Sequence, residues 1–153
     1  MKKNSKLSGV LHVLLHMAEF EGPATSETLA RAMQTNPVVV RRLMSGLRDA
    51  GLVDSAKGHG GGWVLCLPLD EVSLADIYEA LGSPGLLAMG HRDDDPACLV
   101  EQAVNTALGA VYREAETLLI ERFKTVTLAA LSADFHRRMV AGKHSRREID
   151  HVA

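Results

Sequence analysis

The stretch Lys57-Gly58-His59-Gly60-Gly61-Gly62-Trp63 places four glycines in five positions directly after a cation. Glycine adopts positive φ without steric cost and has no side chain to hold another surface away, so few structures suit such a run. It is either a slim hairpin tip or a loop that lets an anion approach the backbone. The flanks separate these readings. Leu52 to Ala56 reads as one short strand, and Trp63-Val64-Leu65-Cys66-Leu67 reads as a second that alternates before Pro68. A phosphate loop would need Gly-x-x-x-x-Gly-Lys-Ser/Thr spacing and a helix behind it, and neither is present. No nucleophile and base stand as a pair, so the chain does not read as an enzyme.

Three helices precede the hairpin. Leu7, Val10, Leu11, Leu14 and Ala18 recur at spacings of three and four, which predicts a helix from about Ser5 to Phe20, closed by Gly22-Pro23. Thr25 offers an N-cap, with Glu27 in the first turn and Leu29, Ala30 and Met33 as a short apolar stripe, for a second helix ending near Gln34. Thr35-Asn36-Pro37 supplies a turn, a capping side chain and a first-turn proline, so a third helix runs to about Ala50 before Gly51. Its inner face is Val40, Leu43, Met44 and Leu47. Its outer face is Val38, Arg41, Arg42, Ser45 and Arg48. On a lone helix those arginines would read as a solvated surface. Behind a second short helix and ahead of a hairpin, they complete the order of a winged helix-turn-helix, in which one helix enters a major groove and the wing tip reaches the flanking backbone or minor groove. The expected DNA contacts are Thr25, Ser26, Asn36, Val38, Arg41, Arg42, Ser45, Lys57, His59 and Gly60. The charge is divided in the same sense: eight basic residues against five acidic up to Trp63, and nine against fourteen beyond it. With a whole-chain pI near 6.4, this suits directed binding better than indiscriminate adhesion to nucleic acid.

Beyond the wing, Ser73 and Asp76 form a capping-box-like start to a helix that Gly82 ends. Ser83 to Asp95 reads as a loop, and its run Asp93-Asp94-Asp95 reads as a solvated loop and cap, since adjacent carboxylates converge too few oxygens for a hard cation. Asp95-Pro96 is expected to open the longest helix. Val100, Ala103, Val104, Ala107, Leu108, Val111, Ala115 and Leu118 keep a three-four repeat to about Phe123, a rod of roughly 37 Å at ~1.5 Å per residue. A small winged domain does not easily cover a rod of that length, which implies pairing with a second copy. Thr127 then caps a shorter helix with Leu128, Leu131 and Phe135 facing inward. The expected fold is mainly α with a small β-hairpin. Residues 1–82 form the winged helix-turn-helix domain, 83–97 a loop, 98–141 the dimerisation helices and 142–153 a charged, frayed tail.

The run Leu47-Arg48-Asp49-Ala50-Gly51-Leu52-Val53, the wing Lys57 to Trp63 and Val72-Ser73-Leu74-Ala75-Asp76-Ile77 together resemble the Rrf-two family of bacterial winged-helix transcription regulators, which includes the IscR and NsrR repressors. The likeness extends from the first helix to the long helix after Cys98. It implies a homodimer, a partly palindromic double-stranded operator and, by analogy with those members, repression. Two departures concern DNA. The family's wing usually opens with arginine, and Lys57 stands there, keeping the charge without the planar fork. A glutamate that reads bases in IscR corresponds to Arg41, so the operator sequence is expected to differ.

The resemblance also raises the question of what is sensed. Family members commonly hold an iron–sulfur cluster on three cysteines around the start of the long helix. Cys98 matches the third, residues 82 to 97 contain no cysteine, and Glu101 stands where IscR supplies a histidine. One thiolate per chain does not supply a cluster of the usual kind. Cys98 is therefore either a redox-responsive thiol or a packed remnant: a helix start lowers its pKa and the neighbouring aspartates raise it. Cys66 reads as core filler. Two cysteines make no disulfide framework, and no apolar run reaches the roughly 18 residues of a membrane span. Met1-Lys2-Lys3 is not followed by a signal-peptide pattern, so a cytoplasmic location is expected, with no cofactor and an unassigned effector. His12 and His16, four residues apart, could hold a metal from one helix face, but without a third ligand nearby they read as ordinary surface histidines. A winged-helix protein-interaction module, its arginine face meeting an acidic partner, is the alternative to DNA binding.

Overall fold

The computed structural model describes residues 6–58, 61–87, 90–91 and 95–152. Six helices and one hairpin follow in order: α1 (Lys6–Glu19), α2 (Ser26–Met33), α3 (Pro37–Asp49), β1 (Val53–Ala56), β2 (Gly62–Leu65), α4 (Leu74–Ala80), α5 (Leu99–Thr125) and α6 (Leu128–Val152), with a short 3-10 turn at Leu69–Glu71. The winged helix-turn-helix with a long C-terminal helix is thus the observed architecture.

Local chemistry sets the helix starts. Thr25 is the N-cap of α2, its hydroxyl accepting from the Thr28 amide at 3.1 Å. Asn36 does the same for α3 through the Val38 amide at 2.8 Å, with Pro37 in the first turn. Ser73 and Asp76 form a full capping box at α4. The turn between α2 and α3 depends on Gln34, which takes the left-handed conformation at φ 53°. A glutamine there is unusual and carries a modest backbone cost, offset by the amide of Thr35 donating to the Ala30 carbonyl at 2.9 Å.

The core lies where α1, α2 and α3 meet the hairpin and α4. Leu14, Leu29, Met44, Leu47, Ile77 and Leu128 are fully enclosed. Val13 and Met17 complete the buried face of α1, which is therefore rotated from the predicted stripe so that Leu7 and Leu11 pack at its edge. Leu128 carries the start of α6 into the same core.

The hairpin is antiparallel, pairing Val53 with Leu65 and Ala56 with Gly62. A further bridge joins Trp63 to Ala24: each residue's amide donates to the other's carbonyl, at 2.8 and 3.0 Å. The Trp63 indole N–H also donates to the Ser26 hydroxyl at 3.0 Å. The wing is thereby tied to the segment that enters α2. Glycine is required at this join, because a Cβ on Gly62 would stand 2.6 Å from the Ala24 carbonyl oxygen and one on Gly61 2.5 Å from that of Ala56.

Several expectations are corrected. The long helix does not begin at Asp95-Pro96. Cys98 is the extended N-cap residue, its carbonyl accepting from the Gln102 amide, while the Gln102 side chain donates to the Pro96 carbonyl and holds that segment outside the helix. Cys66 is exposed, one residue beyond β2, and is not core filler. Phe135 is 39% exposed on the flank of α6 instead of facing inward. The charged tail does not end the helix at Ala141, since α6 continues to Val152. Charge alone is no stop signal, and the good helix formers in that tail continue the helix. Asp93, Asp94, His59 and Gly60 lie outside the described residues.

A Gly62→Ala substitution is expected to lower unfolding stability by about 1–3 kcal/mol, the range for forcing extra volume into a packed site. Urea denaturation followed at Trp63 measures it.

Candidate nucleic-acid interface

The exposed surface of α3 carries Val38 (49% exposed), Arg41, Arg42 and Arg48, while Val40, Met44 and Leu47 hold the opposite face in the core. Ser45 is half-buried, and Arg48 reaches its hydroxyl at 3.4 Å. Lys57 is exposed at the end of β1, where the hairpin turns. Because the Trp63 bridge fixes the hairpin against the start of α2, which packs on α3, one rigid assembly carries Lys57, Arg41 and Arg42.

Among the remaining expected contacts that are described, Thr25, Ser26 and Asn36 have other partners in this structure. Thr25 and Asn36 are engaged as caps through their side-chain oxygens. Ser26 is buried and its hydroxyl accepts from the Trp63 indole, which makes it a holder of the wing. Glu27 was no part of the expected set, yet its carboxylate accepts from the Arg41 guanidinium at 2.9 Å. The two residues are fourteen apart and meet only because the α2–α3 turn folds one helix start back over the other, which helical periodicity does not report. Among the described residues, Arg42 and Lys57 have no ion-pair partner.

Glu27 lies in the first turn of α2. Its own backbone amide, and after it the Arg41 guanidinium, hold its carboxyl below the usual carboxylate range. Both groups are exposed, so the pair contributes little to stability and serves chiefly to orient Arg41.

Residues 3–134 match the Rrf2 family, described as iron-dependent transcriptional regulators. The chain belongs to that family. Its relatives include YwnA of Bacillus subtilis (strain 168), provisionally named an HTH-type transcriptional regulator, which is 31% identical over 74% of this chain and 84% of its own length. The solved structure of CymR, the global cysteine regulator of B. subtilis, is similar with a TM-score of 0.58 at 25% identity, covering 87% of this chain and 97% of that one. A transcriptional regulator structure from Lactobacillus plantarum shares the fold with a TM-score of 0.71 at 23% identity, over 94% and 97% of the two chains. As an Rrf2 protein the chain is a transcriptional regulator built on a helix-turn-helix, and the surface of α3 and the wing is where that fold presents its cations. No described helix is long and apolar enough to cross a membrane.

A carboxyl whose folded pKa is lowered contributes its stability above the unfolded pKa and loses it as pH falls through the folded value. Carbon-detected NMR titration should therefore place the Glu27 midpoint below that of an unfolded glutamate. In Arg41→Ala the midpoint should rise only part of the way back, because the backbone amide remains.

Proposed function

We propose that the chain is a homodimeric, sequence-specific DNA-binding repressor in which α3 enters the major groove and the wing reaches the adjoining backbone or minor groove. The observation that supports this reading is that Val38, Arg41 and Arg42 are exposed on α3 and Lys57 is exposed at the end of β1, in a hairpin that the Trp63–Ala24 bridge ties to the entry of α2. Arg42 and Lys57 are available to phosphates, and Arg41 is poised by Glu27 to exchange a carboxylate for the acceptor edge of a guanine. His59 and Gly60 belong to the same tip in sequence. Repression rests on the family resemblance to IscR and NsrR.

Dimerisation is supported by α5. Only Gly109 is buried along its 27 residues, and Leu99, Val100, Val104, Leu108, Val111 and Leu118 are exposed. Each apolar side chain of that size gains about 1.5–3 kcal/mol on full burial, so a helix left in this state favours a second copy. Two-fold pairing sets half-sites about one helical turn apart, near 34 Å, or a multiple of it.

For sensing, the donor set does not fit an iron–sulfur cluster. Cys98 stands at the start of α5 and Cys66 beyond β2, both exposed and on separate elements, and thiolates are the chief cluster ligands. Cys98 instead is read as a peroxide-responsive thiol. The amides of Glu101 and then Val100 lower its pKa, so the thiolate can attack hydrogen peroxide, giving a sulfenic acid and releasing hydroxide. The start of α5 is coupled to the winged domain at the helix's other end, where Leu74 donates to the Val126 carbonyl and Leu128 to that of Val72, both at 2.9 Å.

Mobility-shift titration on the chain's own promoter fragment tests the reading. Affinity should fall by about 10³-fold or more between 50 and 200 mM salt if some six phosphates are contacted. Arg42→Ala and Lys57→Ala should weaken binding, and Val111→Glu should yield a monomer that no longer occupies paired half-sites. Absence of salt-sensitive binding, with Arg42→Ala still losing a protein partner, would instead favour the interaction-module reading. Mild peroxide should weaken operator binding in the wild type and leave Cys98→Ser unchanged; equal loss in both proteins removes Cys98 as the switch.

A further inference from the structure

The DNA-binding reading leaves the outer side of α1 unused. There His12 and His16, four residues apart on one helix face, bring their Nε2 atoms to 2.9 Å, with ring centroids 4.7 Å apart and planes 26° from parallel. Two imidazoles that close share one hydrogen, one ring donating and the other accepting; with the donor's proton moved to its Nδ1, both Nε2 lone pairs face one point in space. Glu19 follows one helical turn after His16 and lines the same groove of about 610 Å³ between α1 and α6. Its carboxylate meets His136 of α6, with Oε1 at 3.0 Å and Oε2 at 3.1 Å from Nε2. Leu11, Leu15, Leu131 and Phe135 form the apolar wall of that groove.

We propose that His12 and His16 are the seat of a site for one borderline divalent transition-metal cation of the Zn²⁺ type, with Glu19 as third ligand and His136 drawn in from α6. Tetrahedral binding with metal–nitrogen bonds of ~2.0–2.1 Å sets two imidazole nitrogens about 3.3 Å apart, so the pair needs to open by only a few tenths of an ångström. Imidazole and carboxylate are the donor set that suits such cations, and the i, i+4 spacing places both rings on one side of the ion. Among the described residues no three ligands stand already converged, so the histidine pair is the preformed part and Glu19 closes on the ion. Occupancy would tie α1 of the winged domain to α6. The site is independent of the DNA-binding reading, since none of its residues lies on α3 or the wing.

Isothermal titration of the full chain with zinc chloride, in a Cys66→Ser/Cys98→Ser background that removes competing thiols, tests the proposal. One Zn²⁺ should bind per chain. His12→Ala and His16→Ala should each weaken binding by at least about tenfold, a loss that even outer-shell partners can cause, and Glu19→Gln and His136→Ala should weaken it further than an unrelated surface change such as Glu116→Gln. As a measurement that needs no substitution, substoichiometric Ni²⁺ should broaden the ring-proton NMR signals of His12 and His16 before those of the other histidines. Equal zinc binding by wild type and His12→Ala, no binding by either, or broadening that spares His12 and His16 would each overturn the site and leave the pair as a hydrogen-bonded surface couple.

Discussion

The join between Trp63 and Ala24 fixes the functional surface of this molecule. A two-stranded hairpin is marginal alone, and this one gains a third edge from two backbone hydrogen bonds to Ala24 and a side-chain bond from the indole to Ser26. Gly61 and Gly62 allow it, because any side chain at either position would collide with a backbone carbonyl. The wing is consequently braced against the entry to α2, and α2 against α3. Without that brace, Lys57 would move independently of Arg41 and Arg42.

A second join works at the other side of the domain. Ser73 and Thr127 form an isolated bridge, and the amides of Leu74 and Leu128 close it on either side. It pins the α5–α6 turn to the entry of α4, while Tyr78 and Phe123 meet edge to face at 6.1 Å. The C-terminal end of α5 is thus integral to the winged domain, whereas its N-terminal end presents apolar side chains to solvent. The long helix is thus anchored at its C-terminal end, while Cys98 stands exposed at its start.

Most of the fold was legible in the sequence because its helix boundaries are written in short-range chemistry. Thr25, Asn36 with Pro37, and Ser73 with Asp76 each cap the helix they were expected to cap, and the glycine run does turn between two strands. What was hidden depends on tertiary geometry. Asp95-Pro96 carries the chemistry of a helix start, but Gln102 reaches back to the Pro96 carbonyl and the helix opens after Cys98. Gln34 takes a conformation usually left to glycine, which nothing in its neighbours announces. At the candidate interface, the outer face of α3 followed from periodicity. The Glu27–Arg41 pair and the sequestering of Ser26 by Trp63 did not, since both link residues brought together only when the helices and hairpin pack.

The central claim is that α3 and the wing act as one DNA-facing surface. Amide chemical-shift mapping with the chain's own promoter duplex tests it most directly. The account predicts that shifts concentrate in residues 36–48 and in the hairpin tip around 56–62, saturating together along one binding curve. Shifts confined to α5 and α6, or a hairpin tip that stays unperturbed while α3 responds, would contradict it.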